Sequence, residues 1–324
     1  MELKRLIRIA DSYFLMRPIL FFPVWTIFQV GFIRASLYKK ESWFNFHFLN
    51  DFWQGESLYF GILVTVLCGG IFILNQVQDI ETDKQNDKLF LIANNYISER
   101  WANVEGIILI AVSLGMAFFS SWIQGVIFLF LFIITGWFYS YSPFNWKDKT
   151  FPGLFANAMA GLLIFVSGWC TQLSFSRESI LYSMPYVFAI STIYIYTTIP
   201  DRIGDEAANK MTYAVVLGYK KATRLALVLG IITLIFSILL KDWMMTLATL
   251  GSLIFFVKVS QTQNDNDLSL ATKLPILFLA IGVCWKIPGY VVLIFINLYL
   301  TKLYYRYRFR LKYPQFSRLD TSLN

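Results

Sequence analysis

Two groups of carboxylates, far apart in the chain, stand where long apolar stretches end. Asn75, Asp79 and Asp83 recur at four-residue steps in NQVQDIETD, and Asp201 and Asp205 repeat that step in PDRIGDEAANK. Side chains four residues apart on a helix share one face. Each group therefore predicts a negative stripe at a helix end, and Phe72, Ile73 and Leu74 lead into the first from membrane-like sequence. Two such stripes brought together would repel and destabilise the fold. A hard divalent cation with oxygen ligands relieves that, above all Mg²⁺ carrying a substrate phosphate. A solvated charged loop would account for either stripe alone; two stripes at membrane boundaries point to a site. Lys88 follows the first group, Lys147 lies between the two, and Lys210 follows the second. Each could hold outer phosphate oxygens, or could be ordinary charge at a membrane face. Lys210 has the strongest claim through its fixed place after Asp205.

Aromatic residues make up 18% of the chain, and most belong to interfacial belts or packing. Tyr139 and Tyr141, beside the loop that carries Lys147, and Tyr194 are candidates for an apolar pocket; Tyr194 and Tyr196 lie one or two turns before Asp201. Such π-faces suit an isoprenoid tail and would stabilise an allylic carbocation.

The elements that must position these residues are membrane helices. The 324 residues are 57% hydrophobic and 15% charged, with mean hydropathy +0.56; an ordinary soluble domain is excluded. Apolar runs near the ~20 residues that cross a bilayer fall at 18–35, 58–78, 103–122, 124–142, 152–173, 180–200, 222–240, 243–260 and 287–305. That makes about nine spans. The stretch 274–285 is short for a span and is expected to extend the last helix through a kink at Pro288, or to be re-entrant. The alternation of a membrane barrel is absent. The expected fold is all-α, a polytopic bundle around a central pocket. One domain covers 1–324, with a membrane core at 18–305 and a basic tail at 306–324. Gly61, Gly69, Gly70, Gly153, Gly161 and Gly168 would let helices approach closely. The start, MELKRLIRIADSYF, is basic and amphipathic and lacks a small-residue cleavage site, so no secretory signal is expected.

Cys68, Cys170 and Cys284 lie in expected spans without metal-type spacing and read as small apolar residues. His47 has no partner at ligand spacing. The net charge of +8 suits an anionic membrane surface; no soluble basic domain exists to bind nucleic acid. Lys4, Arg5, Arg8, Lys84, Lys88, Arg100, Lys147, Lys149, Arg202, Lys210, Lys220, Lys221 and Arg224 fall on one side if the spans alternate. The positive-inside rule makes that side cytoplasmic, in the plasma membrane. An odd span count sends the basic tail after Thr301 to the other side; either an extra crossing lies near Lys286–Gly289, or, as preferred here, the early loops set the orientation.

These motifs resemble those of the UbiA-type membrane prenyltransferases. Asn75, Asp79 and Asp83 match the family's first signature, and DRIGDEAANKMTYAVVLG, with Asp201, Asp205, Lys210, Thr212 and Gly218, matches its second. YSYSPFNWK, with Lys147, is similar to a weaker third motif, and Asn157, Gly161 and Arg17–Pro18 also fit. The resemblance spans nearly the whole chain. It implies a prenyl diphosphate donor, Mg²⁺ and an acceptor reached from within the bilayer. Asp79, Asp83, Asp201 and Asp205 would hold metal, with Asn75 completing the first cluster. Lys147 and Lys210 would contact the diphosphate. The chain departs from the family at Gln76, where many relatives carry Asp, and after Asp83, where many carry an Arg-Pro-rich stretch; the third motif's Tyr-to-Lys spacing also differs. The acceptor stays open among aromatic acids, a naphthoate, a glycerol phosphate lipid, a porphyrin and a chlorophyll-type alcohol. A terpene cyclase of the same build, a transporter or channel using boundary carboxylates for a cation, and a purely structural membrane protein are the competing expectations.

Overall fold

The computed structural model describes residues 2–39, 53, 55–80, 90–311 and 313, with side chains for all of these except 2–6 and 90. Asp83 and Lys88 lie outside the described residues, as does His47. The helices are α1 (Glu2–Leu15), α2 (Phe21–Tyr38), α3 (Gly55–Gln78), α4 (Glu99–Ser120), α5 (Trp122–Leu131), α6 (Thr150–Trp169), α7 (Arg177–Thr198), α8 (Arg202–Ala207), α9 (Tyr213–Leu239), α10 (Trp243–Thr262), α11 (Asp265–Lys286) and α12 (Gly289–Phe309). Among the described residues, eight helices are long and apolar enough to cross a membrane, and Trp122–Phe138 adds a shorter apolar one.

Each helix's burial follows its pattern. Every residue of α2 from Thr26 to Ser36 is buried, as expected of a helix apolar all round. In contrast, α4 buries only Ala102, Gly106, Ile110, Ser113 and Ala117. That is one stripe at three- and four-residue steps, leaving the opposite face to lipid. α2 and α6 touch backbone to backbone. A Cβ added at Gly168 would collide with the Phe28 carbonyl, and one at Gly31 with the Phe165 carbonyl, the close approach that small residues permit in membranes. α3 and α4 meet in the same way at Gly70 and Gly106.

The C-terminal region differs from expectation. The stretch 274–285 is the second half of a 22-residue helix, α11. Asp265, Asp267 and Lys273 in its first turns dilute the apolar signal. The chain breaks at Ile287–Pro288 and returns as α12, whose Tyr290 hydroxyl pairs with Thr26 at 2.8 Å and whose Asn297 donates to the Pro18 carbonyl at 2.8 Å. At its end, Tyr304 donates to Asp11 at 2.7 Å and Arg308 Nε pairs with the same carboxylate at 3.2 Å. Asp11 belongs to α1, which lies beside the ends of α3 and α4. Gln76 Nε2 donates to the Leu15 carbonyl at 2.8 Å, and Trp101 Nε1 to Ser12 at 3.4 Å. The basic tail therefore begins on the side of the acidic motifs, not opposite them.

At the other end of the bundle, Arg34 and Asp242 are buried together. Arg34 Nε lies 3.5 Å from Asp242 Oδ2 and its Nη2 donates to the Leu240 carbonyl at 3.1 Å; Tyr186 donates to the same carboxylate at 2.6 Å. Pairing and hydrogen bonds offset the desolvation of both charges.

Candidate active site

The last turn of α3 carries Asn75 toward its end, and the Asp79 amide caps the turn on the Asn75 carbonyl at 3.1 Å. Gln76 points elsewhere. It is buried, and its amide ties α3 to the end of α1. The departure from the family pattern at Gln76 is thus a structural tie. Beyond α5, residues Phe132–Phe138 form a π-helix, a wider turn often found at functional sites. It delivers Tyr139 and Tyr141 to the loop. Asn145, in a left-handed conformation (φ 41°), turns the chain into the 3₁₀ turn Trp146–Asp148. On that turn Lys147 Nζ donates to Asp79 Oδ1.

The second motif folds onto the same loop. Asp201 precedes α8, and the Asp205 amide donates to its carbonyl at 2.8 Å; the Lys210 amide then folds back onto the Asp205 carbonyl at 2.8 Å. Lys149 and Met211 form a parallel bridge. The Met211 amide donates to the Asp148 carbonyl at 2.8 Å, and Thr150 Oγ1 donates to the Met211 carbonyl. Lys210 Nζ stands 3.4 Å from Asp148 Oδ1. The Lys147 loop is therefore clasped by motif two through its backbone and joined to motif one through Asp79. Downstream, Gly218 breaks α9 with φ 69° and ψ 171°, a combination open to glycine.

Beneath this layer, Asn157 donates to the Gly153 carbonyl at 2.9 Å and bonds Tyr139. The Tyr194 hydroxyl fills the place of a Cβ at Gly153. Tyr139 lies within electrostatic reach of Asp79, Asp148 and Asp205 together, and Tyr194 within reach of Tyr139, Tyr213, Asp205 and Asp148. Tyr141 bonds Gln78 and stacks on Trp137 with centroids 5.3 Å apart. The structure thus brings together Asp79, Lys147, Asp205, Lys210, Tyr139, Asn157 and Tyr194. Asn75 and Asp201 sit on the flanking turns. Tyr196 is not in this group; it packs against Phe256 with centroids 5.3 Å apart.

Burial lifts the Asp205 carboxyl above its usual range, and the negative charges of Asp201 and Asp148 push the same way; a hydrogen bond from Thr212 (3.1 Å) and the Lys210 charge pull it back. A carboxylate so placed gains from a cation. Among the described residues no three acidic, histidine or cysteine side chains gather tightly enough to enclose a metal. The donor set is all oxygen, split between two turns, with lysines between them. That fits Mg²⁺, which is held by one or two carboxylates plus substrate phosphate rather than by a protein cage. Nothing in the sequence pattern marks Asp148 as a partner of Lys210, or Gln78 as a partner of Tyr141, because neither falls in a periodic pattern.

The model of the UbiA prenyltransferase family matches residues 48–282, and this chain belongs to that family. It is an integral membrane protein. A UbiA homologue from Archaeoglobus fulgidus, solved with GPP and Mg²⁺, is 20% identical, covers 85% of this chain and 99% of its own, and superposes with TM-score 0.62. Digeranylgeranylglyceryl phosphate synthase is 16% identical, with coverages of 85% and 98% and TM-score 0.62. In sequence, the chain is 27% identical over 223 residues to 2-acyl-4-prenylphloroglucinol 6-prenyltransferase of Humulus lupulus; the match takes in 64% of this chain and 52% of that protein. The chain thus spans about half the length of the curated relative it matches.

Proposed function

We propose that this protein transfers a prenyl group from an isoprenoid diphosphate to an acceptor reached from the membrane, with Mg²⁺, and that an aromatic or quinone-precursor acceptor is the preferred class. The observation that carries the reading is the convergence of both acidic motifs on one layer, with Lys147 held at Asp79 and Lys210 beside Asp148. Asp79, Asp83, Asp201 and Asp205, with Asn75, would hold the metal. Bound Mg²⁺ would neutralise the diphosphate and stabilise the departing pyrophosphate. Lys147, Lys210 and Lys88 would take the outer oxygens. The bond from the first prenyl carbon to the bridging oxygen breaks, and its electron pair leaves with pyrophosphate. The allylic cation sits over the faces of Tyr139, Tyr141 and Tyr194. A nucleophilic acceptor carbon closes the new bond and then loses its proton. The bundle excludes water from the cation meanwhile.

The two Archaeoglobus fulgidus structures carry GPP or DMAPP with Mg²⁺, which supports the donor and metal. The Humulus lupulus relative is named for a phloroglucinol acceptor, which supports the aromatic class over the glycerol phosphate lipid. A cation transporter would place its acids near the bilayer midplane at broken helices; here they lie beyond the ends of α3 and α7. The shared side of Lys147, Lys149, Lys210, Lys220 and Lys221 supports a cytoplasmic site in the plasma membrane.

The test is a radiolabelled prenyl diphosphate assay against a panel of aromatic and lipid acceptors, with and without Mg²⁺. Transfer should require the metal, and Asp79→Ala or Asp201→Ala should abolish it while membrane insertion persists. A prenyl product formed without acceptor would assign a cyclase instead, and full activity in either variant would refute the assigned roles.

A further inference from the structure

Among the described residues, Asp148 is the one carboxylate of this layer that neither acidic motif contains. It follows Lys147 on the 3₁₀ turn, and its backbone carbonyl is held by the Met211 amide at 2.8 Å. Met211 is the residue after Lys210. One backbone clasp thus carries both side chains and fixes Asp148 against Lys210. The pair itself is loose. Nζ and Oδ1 are 3.4 Å apart, and Oδ1 is buried yet accepts no hydrogen bond among the described residues. Charge holds the two together without a directed bond. Lys147, by comparison, donates a direct hydrogen bond to Asp79, and Asp79 would have the metal to turn to. Asp148 lies within electrostatic reach of Asp205, and Lys210 is a cation beside it.

A phosphate oxygen offers Lys210 a stronger, charge-assisted hydrogen bond than this contact does. A Lys210 that turns to an arriving diphosphate would weaken its contact with Asp148, and the departure of the diphosphate would restore the pair. On the reading of the site as a prenyl diphosphate centre, we propose that Asp148 is a positioning residue that competes with the diphosphate for Lys210 and so speeds release of pyrophosphate. No bond is made or broken by Asp148. It exchanges one counter-ion for another at Lys210 Nζ. The pair is partly open to solvent, with side chains 18% and 27% exposed, so screening limits the effect to a few-fold.

Calorimetric titration of inorganic pyrophosphate with Mg²⁺ into the full chain in detergent reads this directly. Asp148→Asn should bind pyrophosphate about 2–5-fold more tightly than wild type, and steady-state product inhibition by pyrophosphate should strengthen by the same factor. In a Lys210→Met background the Asp148→Asn gain should vanish, because the competition has no object. Asp148→Glu, which keeps the charge, should behave as wild type, and Asp148→Ser is read by the same criterion as Asp148→Asn. Unchanged or weaker binding in Asp148→Asn overturns the inference, and so does an equal gain in the Lys210→Met background, which would signal general charge relief. If wild type itself fails to bind pyrophosphate with Mg²⁺, the reading of the site falls, and the inference with it.

Discussion

Asp205 shows how the site strains against its own charges. A carboxyl held above its usual range binds its proton more tightly folded than unfolded. Stability then falls as pH rises from the unfolded value through the folded one, and at neutral pH the ionised group is a net cost. Asp205 is in this state through burial, Asp201 and Asp148. Asp205→Asn, which keeps an oxygen for Thr212, should therefore raise the melting temperature of Mg²⁺-free protein at pH 7, while the difference closes below the ordinary carboxylate range. A lower melting temperature at pH 7 would contradict the electrostatic assignment. The same variant should lose activity, the usual exchange of stability for function at a site. At this scale the sequence was legible where chemistry repeats. Four-residue steps marked Asn75, Asp79, Asp201 and Asp205, and loop position marked Lys147 and Lys210. Asp148 was not legible, because its partner is set by a loop closing on a distant loop. The roles of all these residues are proposals, and Asp83 and Lys88 also lie outside the described residues.

The helices are held by contacts that composition announces only in part. The glycines pointed to close packing, and the structure supplies the partners. Gly168 lies on the Phe28 carbonyl, whereas Gly115 has open space around it. Gly168→Ala should force α2 and α6 apart and cost about 1–3 kcal/mol, read as a fall in thermal midpoint in detergent. Gly115→Ala on the lipid face should leave it unchanged or raise it. Equal effects would mean that the α2–α6 approach does not limit stability. Two features escaped the hydropathy pattern. α11 carries Asp265, Asp267 and Lys273 in its first half, so its apolar run reads as too short. Arg34, inside the most buried helix, has no partner visible in the sequence; the fold brings Asp242 and Tyr186 to it.

Across the whole molecule, the return of α12 resolves the conflict between an odd span count and a basic tail. Arg308 meets Asp11 beside the starting helix, so basic residues from both ends of the chain share the face of the acidic motifs. Positive charge on the same face as a negative site suits an anionic substrate bound through a cation. Fold class and the pairing of motifs were readable because helix length and four-residue spacing are local properties. The clasp between the Lys147 loop and the second motif was not, because tertiary closure alone creates it. The central claim is that two distant carboxylate turns act on one ligand. Titration of pyrophosphate with Mg²⁺ into Asp79→Ala, Asp205→Ala and the double variant tests it. Each single change should weaken binding about as much as both together, since losing either side breaks the shared grip. Independent, additive losses, or pyrophosphate binding that needs no Mg²⁺, would contradict the account.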